Sequence, residues 1–167
     1  MSQTAASPSL PTIAFIGGGN MASAIIGGLI HQGQPASQIE VVEPWAEARE
    51  ALRKNYGIEA QAGAGPALQR AGIVVWAVKP QTFKDAAAQA KAHTRAALHL
   101  SVAAGIRSDS IAQWLGSERV VRTMPNTPAL VGKGMSALYA RPAVTAAERQ
   151  SVEAIMASTG EFLWVES

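Results

Sequence analysis

The stretch from Ile13 to Ala22 reads Ile-Ala-Phe-Ile-Gly-Gly-Gly-Asn-Met-Ala, an apolar run that passes straight into three glycines and then into a helical pattern. It satisfies G-x-G-x-x-A, and each small residue has a separate duty in a strand-turn-helix unit. Gly17 makes the tight turn, Gly19 leaves the backbone bare for the close approach of a pyrophosphate, and Ala22 keeps the helix against the strand. The free N–H groups and the positive dipole end of the helix face the phosphates, so Gly18, Asn20 and Met21 join the candidate set. Glycine triplets also occur as plain turns. The strand before this one, the helix after it and the βα units that follow favour a dinucleotide site.

From Thr12 onward, short apolar runs alternate with longer helical segments closed by glycine, with no repeat or low-complexity linker. Strands are expected at 12–16, 39–43, 58–60, 73–78, 97–102, 120–123, 135–140 and 161–165, and most lack polar alternation. Such strands are buried on both faces, as in a parallel sheet covered by helices. Helices are expected at 20–32, 45–56, 66–70, 82–93, 109–115 and 146–159. Gly33, Gly57, Gly116 and Gly160 stand at their ends, and Thr145 with Glu148 forms a capping box before the last. The fold class is α/β, a Rossmann-type doubly wound, mostly parallel sheet of about eight strands with helices on both faces. Along the first helix, Met21, Ala24, Ile25, Gly28 and Leu29 form an apolar stripe. Gly27 and Gly28 each cost about 1 kcal/mol relative to alanine. That cost is met either by close contact with the sheet or by nothing, in a poorly optimised helix.

Composition narrows the function classes. The 167 residues suit one domain, with 48% hydrophobic and 16% charged residues. Residues 1–11 read as a flexible leader and 12–167 as the dinucleotide-binding domain. The basic residues are scattered, with 14 Lys plus Arg against 12 Asp plus Glu for a net charge of +2, which argues against a nucleic-acid partner. With no cysteine, and with His31, His93 and His99 lacking zinc-site spacing, no metal site is expected. No apolar run is long enough to span a bilayer. A cytoplasmic location is the default expectation.

Further candidates stand where open α/β sheets bind ligands, beyond the carboxyl ends of strands. Glu43, at the end of the second strand, is placed to accept hydrogen bonds from a ribose 2′-hydroxyl and to repel a 2′-phosphate; a solvated loop glutamate is the other reading. Arg49 and Arg53 complicate cofactor choice, since either is a partner for a 2′-phosphate, although both occupy ordinary helix-surface positions. Pro80 holds Lys79 extended, so that Ala77 and Val78 offer backbone groups to a ligand. Ser101 to Gly105 is small enough for a flat ring to lie against. Arg122 to Pro128 is a loop stiffened by two prolines, and its Asn126 and Thr127 are candidates for the nicotinamide end.

Together the glycine loop, Val74 to Gln81, Ser101 to Gly105 and Arg122 to Ala129 resemble pyrroline-5-carboxylate reductase, in order and spacing from Ile13 to about Val165. Val120 to Ala129 is the most distinctive part. The resemblance implies reduction of the ring C=N of L-1-pyrroline-5-carboxylate to L-proline with NADPH or NADH, the last step of proline biosynthesis. It implies that Gly17, Gly19, Asn20, Met21 and Ala22 hold the pyrophosphate. Ala77, Val78, Lys79 and Pro80 then line the cofactor, while Ala104, Asn126 and Thr127 lie towards the nicotinamide. No residue stands out as a general acid. Two departures are visible: Glu43 stands where members favouring NADPH tend to carry a phosphate-compatible group, and the chain stops where a helical C-terminal domain with the substrate loop and the homo-oligomer interface is expected. Another reductase of the wider 6-phosphogluconate dehydrogenase-like group and a non-catalytic NAD(P)-binding module remain as alternatives.

Overall fold

The computed structural model describes residues 10–103, 105–126 and 135–166. Its elements run β1 (Ile13–Ile16), α1 (Asn20–His31), β2 (Ile39–Val42), α2 (Ala46–Tyr56), β3 (Ile73–Trp76), α3 (Pro80–Ala90), β4 (Leu98–Ser101), α4 (Ser108–Leu115), β5 (Val120–Asn126), β6 (Met135–Ala140), α5 (Ala146–Ala157) and β7 (Glu161–Trp164). The strands form one sheet in the order β2-β1-β3-β4-β5-β6-β7. Every pairing is parallel except β5 with β6.

The lack of polar alternation has the expected cause. Along β1, Ile13 and Phe15 pack with α1 and α5, whereas Ala14 and Ile16 pack on the opposite face with α3 and α4. All four are buried, as are all four residues of β3. A strand covered on both sides has no position to spare for a solvated side chain, so its sequence reads as a continuous apolar run.

Among the described residues the sheet has seven strands rather than about eight. Ile58 is buried in the α1 face, but the segment 58–60 makes no ladder; a single parallel bridge joins Val42 to Gln61. There, Gln61 N–H donates to Val41 O and Glu43 N–H to Gln61 O, both at 2.8 Å, and the chain then turns away through Gly63, Gly65 and Pro66. The apolar signal at Ile58 was one of burial, not of pairing. The segment 66–70 is a 3-10 turn rather than an α-helix. Helix α3 starts at Pro80, not Thr82, because proline is well suited to the first helical position, where no N–H is needed.

Helix α1 is rotated relative to the expected stripe. Ala22, Ile25, Ile26 and Leu29 are buried, whereas Met21 is 47% exposed and Ala24 lies in solvent. Both stripes have helical spacing, and the sheet selects between them. The small residues of α1 serve other neighbours than the sheet. A Cβ on Gly28 would lie 2.8 Å from Ser158 O at the end of α5, and one on Gly27 would lie 2.9 Å from the Tyr56 hydroxyl. The expected capping box is formed: Glu148 N–H donates to Thr145 Oγ1 at 3.1 Å and Thr145 N–H donates to Glu148 Oε1 at 2.9 Å. At the amino end, Leu10 packs against the α1 face and Pro11 O accepts from Gln34 Nε2 at 3.2 Å. Residues 1–9 of the expected leader lie outside the described residues.

Candidate functional site

The chain leaves β1 toward β2 on one side and returns to β3 on the other, so the carboxyl ends of β1 and β3 flank a topological switch point. Open α/β sheets bind ligands in that crevice. Of the three consecutive glycines at its lip, the chain's own packing requires the first two. Gly17 has φ of +100°, donates its N–H to Val42 O at 2.8 Å, and sits so close to β3 that a Cβ would lie 2.4 Å from Ala77 O. No side chain fits there. Gly18 is squeezed from the other side: its N–H donates to Glu43 Oε1 at 2.7 Å and a Cβ would lie 2.9 Å from Leu52 Cδ1.

Gly19 differs. Its φ is −79° and a Cβ on it would meet nothing within 4 Å, so neither conformation nor packing within the chain demands glycine. It is the N-cap of α1, yet no side chain caps the helix and the first turn carries no acidic residue. The N–H groups of that first turn lack intrahelical acceptors, and the positive end of the helix dipole opens on free space beside exposed Asn20 and Met21. An anion fits this cradle by charge, by hydrogen bonding and by room.

Glu43 is brought to this loop, but its carboxylate is occupied by the chain itself. Oε1 accepts from Gly18 N–H and Oε2 accepts from Trp45 N–H at 2.8 Å. Arg49 Nη1 donates to Glu43 O at 3.0 Å and Pro44 O at 2.8 Å, which ties the guanidinium to the backbone of this turn rather than to the carboxylate. Arg53 is drawn off into an ion pair with Glu50 on the helix surface. Trp45 was expected inside the helix; it is instead the extended N-cap of α2 and is 63% exposed at the mouth of the site. An aromatic residue directly after a strand and a proline was the signal available for it.

The segment after β3 joins the same crevice. Ala77 N–H donates to Ile16 O at 2.9 Å, and Val78 Cγ1 is 3.2 Å from the Cβ position of Gly17. Lys79 is extended, with φ −69° and ψ 150°, and exposed, and Pro80 opens α3. After β4, Ser101 Oγ accepts from Ala103 N–H at 3.2 Å in a buried turn. Ala104 and Thr127 lie outside the described residues, and Asn126 is the last residue of β5. Beneath the crevice is a group that sequence reasoning passed over: buried His99 in β4, whose Nδ1 accepts from Trp76 Nε1–H at 3.0 Å. Trp76 in turn stacks on Phe83, with ring centroids 4.9 Å apart.

Residues 12–105 match the family described as NADP oxidoreductase, coenzyme F420-dependent. The chain belongs to that family. The chain is 44% identical over 160 residues to the pyrroline-5-carboxylate reductase of Pseudomonas aeruginosa, covering 95% of this chain and 59% of the relative. The solved pyrroline-5-carboxylate reductase of Coxiella burnetii superposes with a TM-score of 0.86 at 33% identity, over 95% of this chain and 60% of that one. The Plasmodium falciparum pyrroline carboxylate reductase, solved with NADP bound, superposes at 0.77 with 24% identity, over 93% of this chain and 58% of that one, and supports the fold. The domain therefore spans about three-fifths of the length of the relatives it matches.

Proposed function

We propose that this chain is the cofactor-binding part of a reductase that converts L-1-pyrroline-5-carboxylate to L-proline with NADPH or NADH. The observation that carries this reading is the 44% identity to a pyrroline-5-carboxylate reductase across 95% of the chain. The shape of the glycine loop supports it independently, because Gly19 is bare where the fold alone would tolerate a side chain.

In this reading the nicotinamide supplies hydride to the imine carbon. The chain's own residues hold and orient the dinucleotide so that the hydride lies against its target. Gly17 and Gly18 shape the loop, and the first-turn N–H groups of Asn20, Met21 and Ala22 hold the pyrophosphate. Ala77, Val78, Lys79 and Pro80 line the bound molecule, and Ala104, Asn126 and Thr127 lie towards the nicotinamide. Glu43 serves both partners: it latches Gly18 to Trp45 and stands at the ribose. Arg49, held on the Glu43 and Pro44 carbonyls, is the cation of this turn that would partner a 2′-phosphate. The imino-acid pocket and the homo-oligomer interface belong to the part of the relatives' length that this chain does not span. Among the described residues, no helix is long and apolar enough to cross a membrane. A small-molecule substrate met in the cytoplasm accords with that.

Calorimetric titration of the chain with NADH and, separately, NADPH at one fixed salt concentration tests the cofactor half. Saturable binding that is lost in Gly19→Val is expected; unchanged affinity in that variant refutes the loop assignment. Turnover is tested by following nicotinamide absorbance with L-1-pyrroline-5-carboxylate and the chain extended to the relatives' full length, and an extended protein that binds cofactor but never oxidises it refutes the reductase reading.

A further inference from the structure

The stretch Arg122-Thr123-Met124 of β5 presents side chains to both faces of the sheet. Alternation along β5 sends Val121 and Thr123 inward, both at most 1% exposed, and turns Arg122 and Met124 to the face that carries α4. Across the antiparallel ladder, Arg122 is paired with Tyr139 of β6. Helix α4 covers Val120 but ends its coverage there, and a cavity of about 250 Å³ opens beside its first turn.

Three arginines and one aspartate line this cavity. Arg141 is committed: its Nε donates to Glu118 Oε1 at 2.7 Å and its Nη1 to Ser108 Oγ at 3.1 Å, strapping the start of α4 to the end of β6. Arg107 stands 3.6 Å from Asp109, with the two side chains 82% and 63% exposed, a pairing of little strength in water. Arg122 is different. Its Nε is enclosed and meets no acceptor among the described residues. The side chain as a whole is half-buried, so Nε is one enclosed N–H left unpaired, while the rest of the guanidinium lines the cavity and makes no hydrogen bond among the described residues. A guanidinium takes an oxoanion in a bidentate fork, and Met124 and Tyr139 beside it form an apolar wall.

We propose that this cavity is a binding site for a small organic acid, with its carboxylate on Arg122 and its hydrocarbon part against Met124 and Tyr139. The volume is below that of a drug-sized pocket, roughly 300–1,000 Å³, and suits a short-chain carboxylate. The site shares no residue with the glycine loop or the 77–80 segment. Met124 lies two residues before Asn126 on β5 and Arg107 three after Ala104, so the cavity adjoins the nicotinamide end of the proposed cofactor site without sharing a residue with it.

The test is titration of the chain with butyrate, and with butylammonium as the cationic counterpart, at ionic strength held constant with chloride. Arginine Nε–H resonances are followed by NMR. Butyrate is expected to saturate and to move the Arg122 signal, and butylammonium to move nothing. Arg107→Gln, at an exposed position that does not threaten the fold, should weaken butyrate several-fold, and Asp109→Asn should tighten it several-fold by removing the competing anion. NADH affinity, measured on the same samples, should be the same in both variants, so a failure at this cavity is seen separately from a failure at the glycine loop. No saturation by butyrate, equal effects of butyrate and butylammonium, or affinities indifferent to both variants would overturn the proposal. Inorganic phosphate binding as tightly as butyrate would overturn the assignment to an organic acid.

Discussion

Lowering the pH from neutral to about 4.5 should cost this domain stability through one residue, His99, before its carboxylates contribute. His99 lies in the middle of the sheet with 1% of its surface exposed. Burial, aided by the positive charge of Arg119, pushes its pKa down to about 4. In the unfolded chain the imidazole ionises near 6.5, so the folded state binds the proton less readily than the unfolded one. Stability is thus complete above about pH 6.5 and is lost as pH falls toward the folded value. At 1.36 kcal/mol per unit, the loss is about 1.4 kcal/mol by pH 5.5 and about 2.5 kcal/mol by pH 4.5. Protonation also removes the Nδ1 lone pair that accepts from Trp76 Nε1. Urea unfolding at several pH values, read by circular dichroism, measures this directly when wild type is compared with His99→Gln. The glutamine keeps an oxygen acceptor for Trp76 and does not titrate, so its stability should stay nearly level across the window in which wild type declines. Parallel declines in the two proteins would refute the assignment of the loss to His99.

Three further outcomes follow from contacts of the same kind. Gly28→Ala gains about 1 kcal/mol of helix propensity but places a methyl 2.7 Å from Ser158 Cβ and 2.8 Å from Ser158 O. Overpacking of this sort costs about 1–3 kcal/mol, so thermal unfolding should show a net loss, and a gain would mean that α5 yields freely. Thr145→Ala removes the hydroxyl from the capping box and should cost about 1 kcal/mol in urea unfolding. It should also raise the carboxyl pKa of Glu148: burial there opposes ionisation, but bonding to Thr145 and to Arg119 outweighs it and holds the group below the ordinary value. Glu43→Gln keeps one acceptor for the Gly18 or Trp45 N–H and removes the charge, so calorimetry should show NADPH gaining several-fold relative to NADH; an unchanged ratio would leave Glu43 as a loop latch alone.

The sheet and its helices were legible in the chain because burial on two faces writes itself as unbroken apolar runs, and helix ends write themselves as glycines and as the Thr145–Glu148 pair. Gly57 and Gly116 are left-handed caps, as their positions implied. The glycine loop was legible for the same reason, since Gly17 has no room for a side chain and a positive φ. Three things were not. Ile58 looked like strand because its sequence signal reports burial, and only the neighbouring chain decides whether a buried residue also pairs. The face that α1 presents to the sheet was ambiguous between two stripes of equal period, and packing against β1 and α5 chose Ala22, Ile25, Ile26 and Leu29. The contact of Glu43 with Gly18, the pairing of Arg122 with Tyr139 and the contact of His99 with Trp76 were invisible because each joins residues distant in sequence, brought near by the sheet order. Local pattern determined the elements and the anion-ready start of α1. Charge, hydrogen bonding and pKa came from long-range neighbours, because those interactions act across space and only the assembled sheet fixes the distances.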